Sequence, residues 1–281
     1  MEPNNEKIER LKNALHLKLD EISVARNFAL AFSGGLDCRF LAYFAKINNF
    51  VPRLLHICGP HIQSSVSDTA VNWAKSHGMY IRIFPLNPFD EPSFRTNPVN
   101  RCYFCKKRLL SFVKTQTLLP ITDGSNLTDL SLYRPGLQAL HEIGIRSPLI
   151  EAGFTKEDVR LVARSIGLDQ PDQPPDSCLL TRFPYEHPIS EELLVGLGET
   201  EEQINDVLLA QWEDPIPFRV RFVQKDRIEV HFSQSDMPLI HEEIQEKIKT
   251  VIREHFPSYP EANIVGLKSL SVFFEIQSEK N

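Results

Sequence analysis

The sequence predicts an α/β fold in which helices sandwich a parallel sheet, followed by a small C-terminal α+β domain. Short continuous apolar runs at residues 28–32, 51–58 and 80–86 alternate with stretches in which apolar residues recur at helical spacing. This alternation is typical of parallel sheets, because each parallel connection must cross over the sheet. Beyond residue 188 the order becomes helix, two adjacent strands, helix and strand, which is typical of an α+β unit.

Hydrophobic periodicity defines the individual elements. In the first part of the chain we predict helices at residues 6–22, 36–47 and 66–77, and a fourth strand at 118–122. Thr155 and Asp158 form a capping box that starts a helix ending near Ile166. The proline-rich stretch 169–176 is predicted to be a loop, because proline disrupts a helix interior.

The C-terminal part is assigned in the same way. We predict helices at residues 191–210 and 238–255 and strands at 218–223, 227–232 and 270–276. These assignments give two domains, residues 1–187 and residues 188–281.

Composition and charge restrict the class of protein. With 42% hydrophobic and 24% charged residues the chain is an ordinary globular sequence, which excludes collagen-like and disordered classes. No apolar run approaches the ~18 residues of a membrane span, and the first residues lack the basic start and apolar core of a secretory signal. A net charge of −6 without a Lys/Arg block disfavours nucleic-acid binding. We therefore expect a cytoplasmic protein that binds neither membranes nor nucleic acid.

A glycine turn joins the first predicted strand to the helix that follows it, in the sequence Ser33-Gly34-Gly35-Leu36-Asp37-Cys38. Backbone N–H groups of such a turn and the positive end of the helix form an anion site. Open α/β sheets bind ligands at the carboxyl ends of their strands, so the position favours a phosphate-binding loop over a simple turn. A bound nucleotide would bring Mg²⁺, and Asp37 is the candidate ligand for it.

The cysteines are Cys38, Cys58, Cys102, Cys105 and Cys178, an odd number that favours reduced thiols over disulfides. Cys102 and Cys105 form a Cys-x-x-Cys whose sulfurs share one helix face, with basic neighbours that favour thiolates. By itself the motif leaves zinc, redox chemistry and coincidence open. A structural zinc site usually has four ligands, which would require a second Cys-x-x-Cys pair, and the sequence contains none.

Cys178 follows the proline-rich loop and does not lie in an apolar run, which predicts an exposed and reactive thiol. Cys58 closes an apolar strand and is predicted to be a small buried residue. Cys102, Cys105 and Cys178 could together hold a 4Fe-4S cluster with one iron open to another ligand. Alternatively, Cys178 is a lone nucleophile.

Three arginines are candidate anion ligands. Arg219 and Arg221 alternate on a predicted strand and share a face, where guanidinium groups suit phosphate; the alternative is a pair of solvated strand arginines. Arg182, four residues beyond Cys178, is a candidate for the same anion or for favouring the Cys178 thiolate.

The glycine turn is similar to the Ser-Gly-Gly-x-Asp-Ser loop of the PP-loop ATP pyrophosphatases, with Cys38 in place of the final serine. Longer segments in the same order resemble the LarE family of ATP-dependent sulfur transferases, which make the nickel-pincer nucleotide cofactor. They are residues 97–107, 123–136, 146–156, 178–189, 218–221 and 227–230. The resemblance spans nearly the whole chain.

The resemblance implies a PP-loop fold and a two-step reaction. ATP adenylates a carboxylate of pyridinium-3,5-dicarboxylate mononucleotide with release of pyrophosphate, and a sulfur species then displaces AMP to leave a thiocarboxylate. The residues implied to bind ATP are Ser33, Gly34, Gly35, Asp37, Cys38, Gly124 and Asn126. Those implied at the substrate phosphate are Arg219 and Arg221, and Arg182 stays a candidate for the same anion from its position.

The resemblance also implies the role of the cysteines. Cys102, Cys105 and Cys178 match the family members with a 4Fe-4S cluster whose open iron carries sulfide, and Cys178 matches the catalytic cysteine. In single-cysteine members the cysteine surrenders its own sulfur instead and becomes dehydroalanine. Sulfide or a persulfide is the implied donor, and homo-oligomers are expected. Two further alternatives are a tRNA thiolase and, because of Cys38, a non-catalytic nucleotide-binding or cluster-binding relative.

Overall fold

The computed structural model describes residues 2–131, 135–224, 227–259, 261–268 and 270. It comprises two compact units. The first contains Met1–Gly59, Ser64–Pro88 and Val99–Asp176, and the second contains Pro60–Gln63, Phe89–Pro98 and Ser177–Asn281. The domain boundary between residues 187 and 188 stays a prediction. Within the described residues, no helix combines the length and the apolar character needed to cross a membrane.

A parallel four-stranded sheet forms the centre of the first unit, with the strand order β3-β2-β1-β4. Its strands are β1 (Asn27–Ala31), β2 (Val51–Cys58), β3 (Ile81–Pro85) and β4 (Ile121–Thr122). The helices of this unit are α1 (Glu2–Ile22), α2 (Leu36–Ile47), α3 (Ser64–Ser76), α4 (Arg101–Lys114), α5 (Leu127–Leu130), α6 (Pro135–Ile143), α7 (Pro148–Glu151) and α8 (Lys156–Ser165). The predicted α/β fold with a helix-flanked parallel sheet is confirmed, and it is consistent with a PP-loop-like architecture.

Successive side chains of β1 point to opposite faces of the sheet, and helices cover both faces. Phe28 and Leu30 join a core formed with α1, α2 and α8, whereas Ala29 joins a second core formed with α4 and α6. A central parallel strand is therefore buried on both faces, which is why it appears in the sequence as a continuous apolar run.

The predicted capping box at the start of α8 is confirmed. Thr155 Oγ1 accepts from the Asp158 N–H, and the Asp158 carboxylate accepts from the Thr155 N–H. Lys7 adds an ion pair to the same carboxylate. Burial is the largest single effect on the pKa of Asp158 and would raise it. The contacts with Lys7 and Thr155 together outweigh burial and lower the pKa. The start of α8 is thereby fixed next to Lys156.

The second unit contains a mixed three-stranded sheet with the order β5-β6-β7 among its described strands. Strands β5 (Phe218–Gln224) and β6 (Arg227–Ser233) are antiparallel, and β7 (Glu261–Leu267) pairs parallel with β6. Helices α9 (Glu191–Leu209) and α10 (Glu242–His255) complete it. The small α+β fold is confirmed.

The prediction of a final strand at 270–276 lies outside the described residues except for Leu270. Strand β7 was not predicted, because residues 261–267 lack the strict alternation of a half-buried strand. Residues 132–134 of the segment that resembles the LarE family also lie outside the described residues.

We expect Thr155→Ala to lower the free energy of unfolding by about 1 kcal/mol, because it removes the side-chain acceptor at the helix N-cap. Urea denaturation followed by circular dichroism measures the change. The control is Thr69→Ala, an exposed position within α3 where no cap is lost and alanine favours the helix. Equal stability of Thr155→Ala and wild type would contradict a stabilising cap.

Candidate functional site

The Ser33–Cys38 loop lies at the carboxyl end of β1 and opens α2, as predicted. Gly34 has a φ of +83°, and a Cβ built there would lie 2.5 Å from the Cβ of Ala70 on α3. Both the backbone conformation and the close approach therefore require glycine. Ser33 Oγ accepts from the Gly35 N–H at 3.3 Å. The first turn of α2 presents its N–H groups at this loop, as any helix start does.

Cys38 is a buried thiol that contacts the start of its own loop. Its Sγ lies 3.4 Å from Ser33 Oγ and donates to the Ala31 carbonyl at 3.5 Å. Burial raises the pKa of the Cys38 thiol, with the Ser33 contacts opposing the shift. The thiol is therefore protonated and acts in packing rather than as a nucleophile.

His56, which the sequence analysis did not identify, supports the loop from β2. Its Nδ1 lies 2.9 Å from the Phe32 carbonyl and its Nε2 lies 3.0 Å from Ser67 Oγ. Because a carbonyl only accepts, Nδ1 carries the proton and Nε2 accepts from the serine hydroxyl. Burial lowers the pKa of His56, with the Phe32 hydrogen bond opposing the shift. A neutral histidine thus fixes the residue that precedes Ser33.

A second loop, residues 123–126, follows β4 and comes against the first. A Cβ on Gly124 would lie 2.8 Å from Cys38 Sγ and 3.0 Å from the Cys38 backbone nitrogen, so a side chain there would push the two loops apart. Buried Asp123 accepts from the Ser125 hydroxyl and from Ser147 Oγ, the latter at 2.6 Å. The structure therefore brings Gly124 next to the Ser33–Cys38 loop.

Asn126 has a structural task in this loop. Asn126 is the N-cap of α5, and its side chain accepts from the Thr128 N–H at 3.0 Å. The Asn126 N–H in turn donates to the Asp129 carboxylate. Its contact with a nucleotide stays a prediction.

Asp37 and Lys156 form an ion pair of 2.7 Å, and each side chain is about one quarter exposed (24% and 25%). Lys156 is the first residue of α8, and its N–H donates to Thr128 Oγ1. Lys156 was not predicted, because a lysine in the first turn of a helix has no distinctive sequence pattern. Asp37 as a Mg²⁺ ligand stays a prediction.

All five cysteines are free thiols. Cys102 is exposed and Cys105 half-buried, one turn apart at the start of α4 in the first unit, whereas half-buried Cys178 belongs to the second unit. Within the described part of the chain, no group of three or more His, Cys, Asp or Glu side chains is arranged to hold a metal. The 4Fe-4S cluster therefore stays a prediction.

Cys178 precedes a single 3-10 turn, Leu179–Arg182, that two sets of hydrogen bonds hold. The Leu179 N–H donates to the His61 carbonyl at 2.9 Å. The Thr181 N–H and hydroxyl both donate to the Cys178 carbonyl, at 2.9 and 2.7 Å. The backbone that follows the thiol is therefore fixed.

Arg182 points into the interior and is only 2% exposed. Its Nε and Nη2 pair with the Glu201 carboxylate at 2.7 and 3.1 Å, and its Nη1 donates to Ser177 Oγ at 2.6 Å. Its predicted contact with the substrate phosphate stays a prediction. In the structure its guanidinium group binds Ser177, which directly precedes Cys178.

Glu201 lies on α9, is 4% exposed, and also accepts from the Val220 N–H at 2.9 Å and from Gln63 Nε2 at 2.8 Å. Glu201 was not predicted, although the sequence contains one signal for it. The buried face of α9 carries Leu194, Leu197, Ile204 and Leu208, and Glu201 is the charged residue in that apolar stripe. A carboxylate in such a position needs a buried partner.

Arg219 and Arg221 share one face of β5, where they pair across the ladder with His231 and Glu229. Arg219 is half-buried and Arg221 is buried. Burial lowers the pKa of Arg221 to about 9, with further lowering by Arg182 and Arg219 and an opposing effect of Glu201. Two neighbouring arginines thus disfavour the charge on Arg221, and a bound anion would offset their repulsion.

No family model matches the chain. An uncharacterized protein of Synechocystis is 35% identical over 179 residues, which are 61% of this chain and 66% of that protein. An uncharacterized protein of Methanocaldococcus jannaschii is 29% identical over 201 residues, 70% of this chain and 75% of that protein.

The pyridinium-3,5-bisthiocarboxylic acid mononucleotide synthase of Lactiplantibacillus plantarum is 28% identical over 193 residues, 63% of this chain and 67% of the synthase. This match supports the resemblance to the LarE family. It does not distinguish the three-cysteine type from the single-cysteine type.

His61 makes the stability of the second unit depend on pH. The side chain is 4% exposed, and burial lowers its pKa to about 4. Between pH 6.5 and 4 the unfolded chain takes up a proton that the folded protein rejects, so the free energy of unfolding falls as the pH falls. At ~1.36 kcal/mol per pKa unit, the loss attributable to His61 is roughly 2 kcal/mol at pH 5.

We expect His61→Gln to remove this share of the pH dependence, measured by urea unfolding at pH 7 and pH 5. Exposed His141 provides the control, since His141→Gln should leave the difference between the two pH values as in wild type. An unchanged pH dependence in His61→Gln would show that the buried imidazole does not contribute.

Proposed function

We propose that this chain is an ATP-dependent sulfur transferase that converts a carboxylate of pyridinium-3,5-dicarboxylate mononucleotide into a thiocarboxylate, forming AMP and pyrophosphate. The observation that carries the proposal is the glycine loop at the end of β1, closed by Gly124, in a chain similar to a named thiocarboxylate-forming synthase. A small mononucleotide is the proposed substrate, with sulfide or a persulfide as sulfur donor and a homo-oligomer as the expected assembly.

The first step takes place at the Ser33–Cys38 loop. The N–H groups of the loop and of the α2 start would bind the ATP phosphates, because a helix start presents unpaired donors and positive charge. The two glycines keep the loop tightly packed, since a Cβ at Gly34 would clash with Ala70 and a Cβ at Gly124 would clash with Cys38. Asp37 offers the carboxylate oxygen that Mg²⁺ prefers, and the metal would neutralise charge on the phosphates.

The second step is proposed at Cys178. Arg219 and Arg221 would bind the substrate phosphate, a role supported by their position on one face of β5. A sulfur nucleophile attacks the adenylated carboxyl carbon, the bond from that carbon to the AMP oxygen breaks, and AMP leaves with the electron pair.

Cys102, Cys105 and Cys178 are the residues proposed to hold a 4Fe-4S cluster, which would supply the sulfide from its open iron. Two cysteines one helical turn apart are a suitable part of such a ligand set. In the alternative route Cys178 itself attacks, and its Cβ–S bond then breaks with loss of the Cα proton, leaving dehydroalanine.

ATP, Mg²⁺ and the dicarboxylate mononucleotide should yield pyrophosphate with the wild-type protein. We expect Gly124→Ala to lower its release at least about tenfold, because the new methyl group would displace the Cys38 loop end from the phosphate. Gly153→Ala is the control, since no atom lies within 4 Å of a Cβ built at Gly153, although this residue, unlike Gly124, has a positive φ of +82°. ATP binding without pyrophosphate release would contradict the proposal and favour a nucleotide-binding protein.

Anaerobic purification with iron and sulfide analysis decides between the two sulfur sources. The cluster route predicts about four irons per chain, lost in Cys102→Ala and in Cys178→Ala. Cys58→Ala is the control and should retain the iron, because Cys58 is directed at the Phe84 carbonyl on β3. A colourless protein that loses the mass of one sulfur at Cys178 per turnover would contradict the cluster and support the sacrificial route.

A further inference from the structure

The Glu201 carboxylate is a buried junction in the second unit. Both of its oxygens are used twice: Oε1 accepts from Arg182 Nε and from the Val220 N–H, and Oε2 accepts from Arg182 Nη2 and from Gln63 Nε2. A buried ion pair is tolerated only when its remaining lone pairs and protons find partners. This carboxylate meets that requirement with donors from three separate segments.

These segments are the parts of the second unit to which chemistry is assigned. Arg182 also donates to Ser177, the residue that precedes Cys178. Val220 lies between Arg219 and Arg221 on β5. Gln63 is two residues from His61, whose carbonyl accepts the Leu179 N–H on the other side of Cys178. One carboxylate therefore connects the thiol turn to the arginine pair.

We propose that Glu201 is a positioning residue that holds Cys178 at a fixed place relative to Arg219 and Arg221. The inference rests on the proposed function for the roles of Cys178 and the arginines. A well-packed apolar residue would stabilise the fold as well as a buried ion pair does, so stability alone does not explain a carboxylate here. The carboxylate supplies two acceptor oxygens in fixed geometry, which an apolar side chain cannot do.

The test measures the reactivity of Cys178 and needs no turnover. The protein is treated with iodoacetamide, and alkylation of each cysteine is followed by mass spectrometry of its peptides. We expect Glu201→Gln to raise the alkylation rate of Cys178 about tenfold, the change that follows loss of a buried charged hydrogen bond. Exposed Cys102, in the first unit, is the internal reference and should react at the wild-type rate.

A second readout is the rise in melting temperature caused by inorganic phosphate, which reports on the arginine pair. Glu201→Gln should reduce this rise, and Glu201→Asp, which keeps the charge, should restore part of it. For the Cys178 alkylation rate we expect wild type to be slowest, Glu201→Asp intermediate and Glu201→Gln fastest.

Two controls separate positioning from loss of stability. Leu208→Ala opens a cavity on the buried face of α9 two turns from Glu201, and Glu199→Gln removes an exposed carboxylate from the same helix. Positioning predicts that neither variant reproduces the tenfold change. An equal change in Leu208→Ala, or no change in folded Glu201→Gln, would overturn the proposal.

If Glu201→Gln does not fold, Glu201→Asp and Gln63→Met provide the test. Each removes part of the network and should raise the Cys178 rate by a smaller factor, and wild-type rates in both would overturn the proposal. The outcome is independent of sulfur transfer. Absent pyrophosphate release would refute the proposed function without altering the alkylation result.

Discussion

The parallel pairing of β1 with both β2 and β4 determines where the candidate site of the first unit lies. Because parallel strands end at the same edge of a sheet, the Ser33–Cys38 loop after β1 and the 123–126 loop after β4 meet although some 90 residues of chain separate them. At this edge Gly124 lies so close to Cys38 that a Cβ would clash with it. His56 on β2 completes the arrangement from the other neighbouring strand.

The second unit depends on a different interaction, the burial of charge. Arg182, Glu201 and Arg221 are all nearly inaccessible to water, and Arg182 pairs with the Glu201 carboxylate, which also accepts from the Val220 N–H. The first unit thus uses backbone geometry at a sheet edge, whereas the second uses side-chain ion pairs in its interior. These are two physically distinct ways to hold a reactive group in place.

The sequence predicted the elements that have strong local signals. Continuous apolar strands, the glycine loop and the capping box at Thr155 all depend on residues close together in the chain, and the structure contains them. Lys156, His56 and Glu201 were missed because their partners lie far away: 119 residues separate Lys156 from Asp37, and 138 separate Glu201 from Gln63. Such partners follow from topology and not from periodicity. Glu201 alone left a local trace, as a charge in an apolar stripe.

Cys38 has a consequence for how such a loop changes over evolutionary time. The thiol makes two contacts, one with Ser33 and one with the Ala31 carbonyl, and a serine hydroxyl has the donor and the lone pairs to make both. Exchange between cysteine and serine replaces a single atom and requires no change of the backbone. A serine at position 38 and this cysteine are therefore neighbouring solutions, and a single exchange between them leaves the loop able to fold.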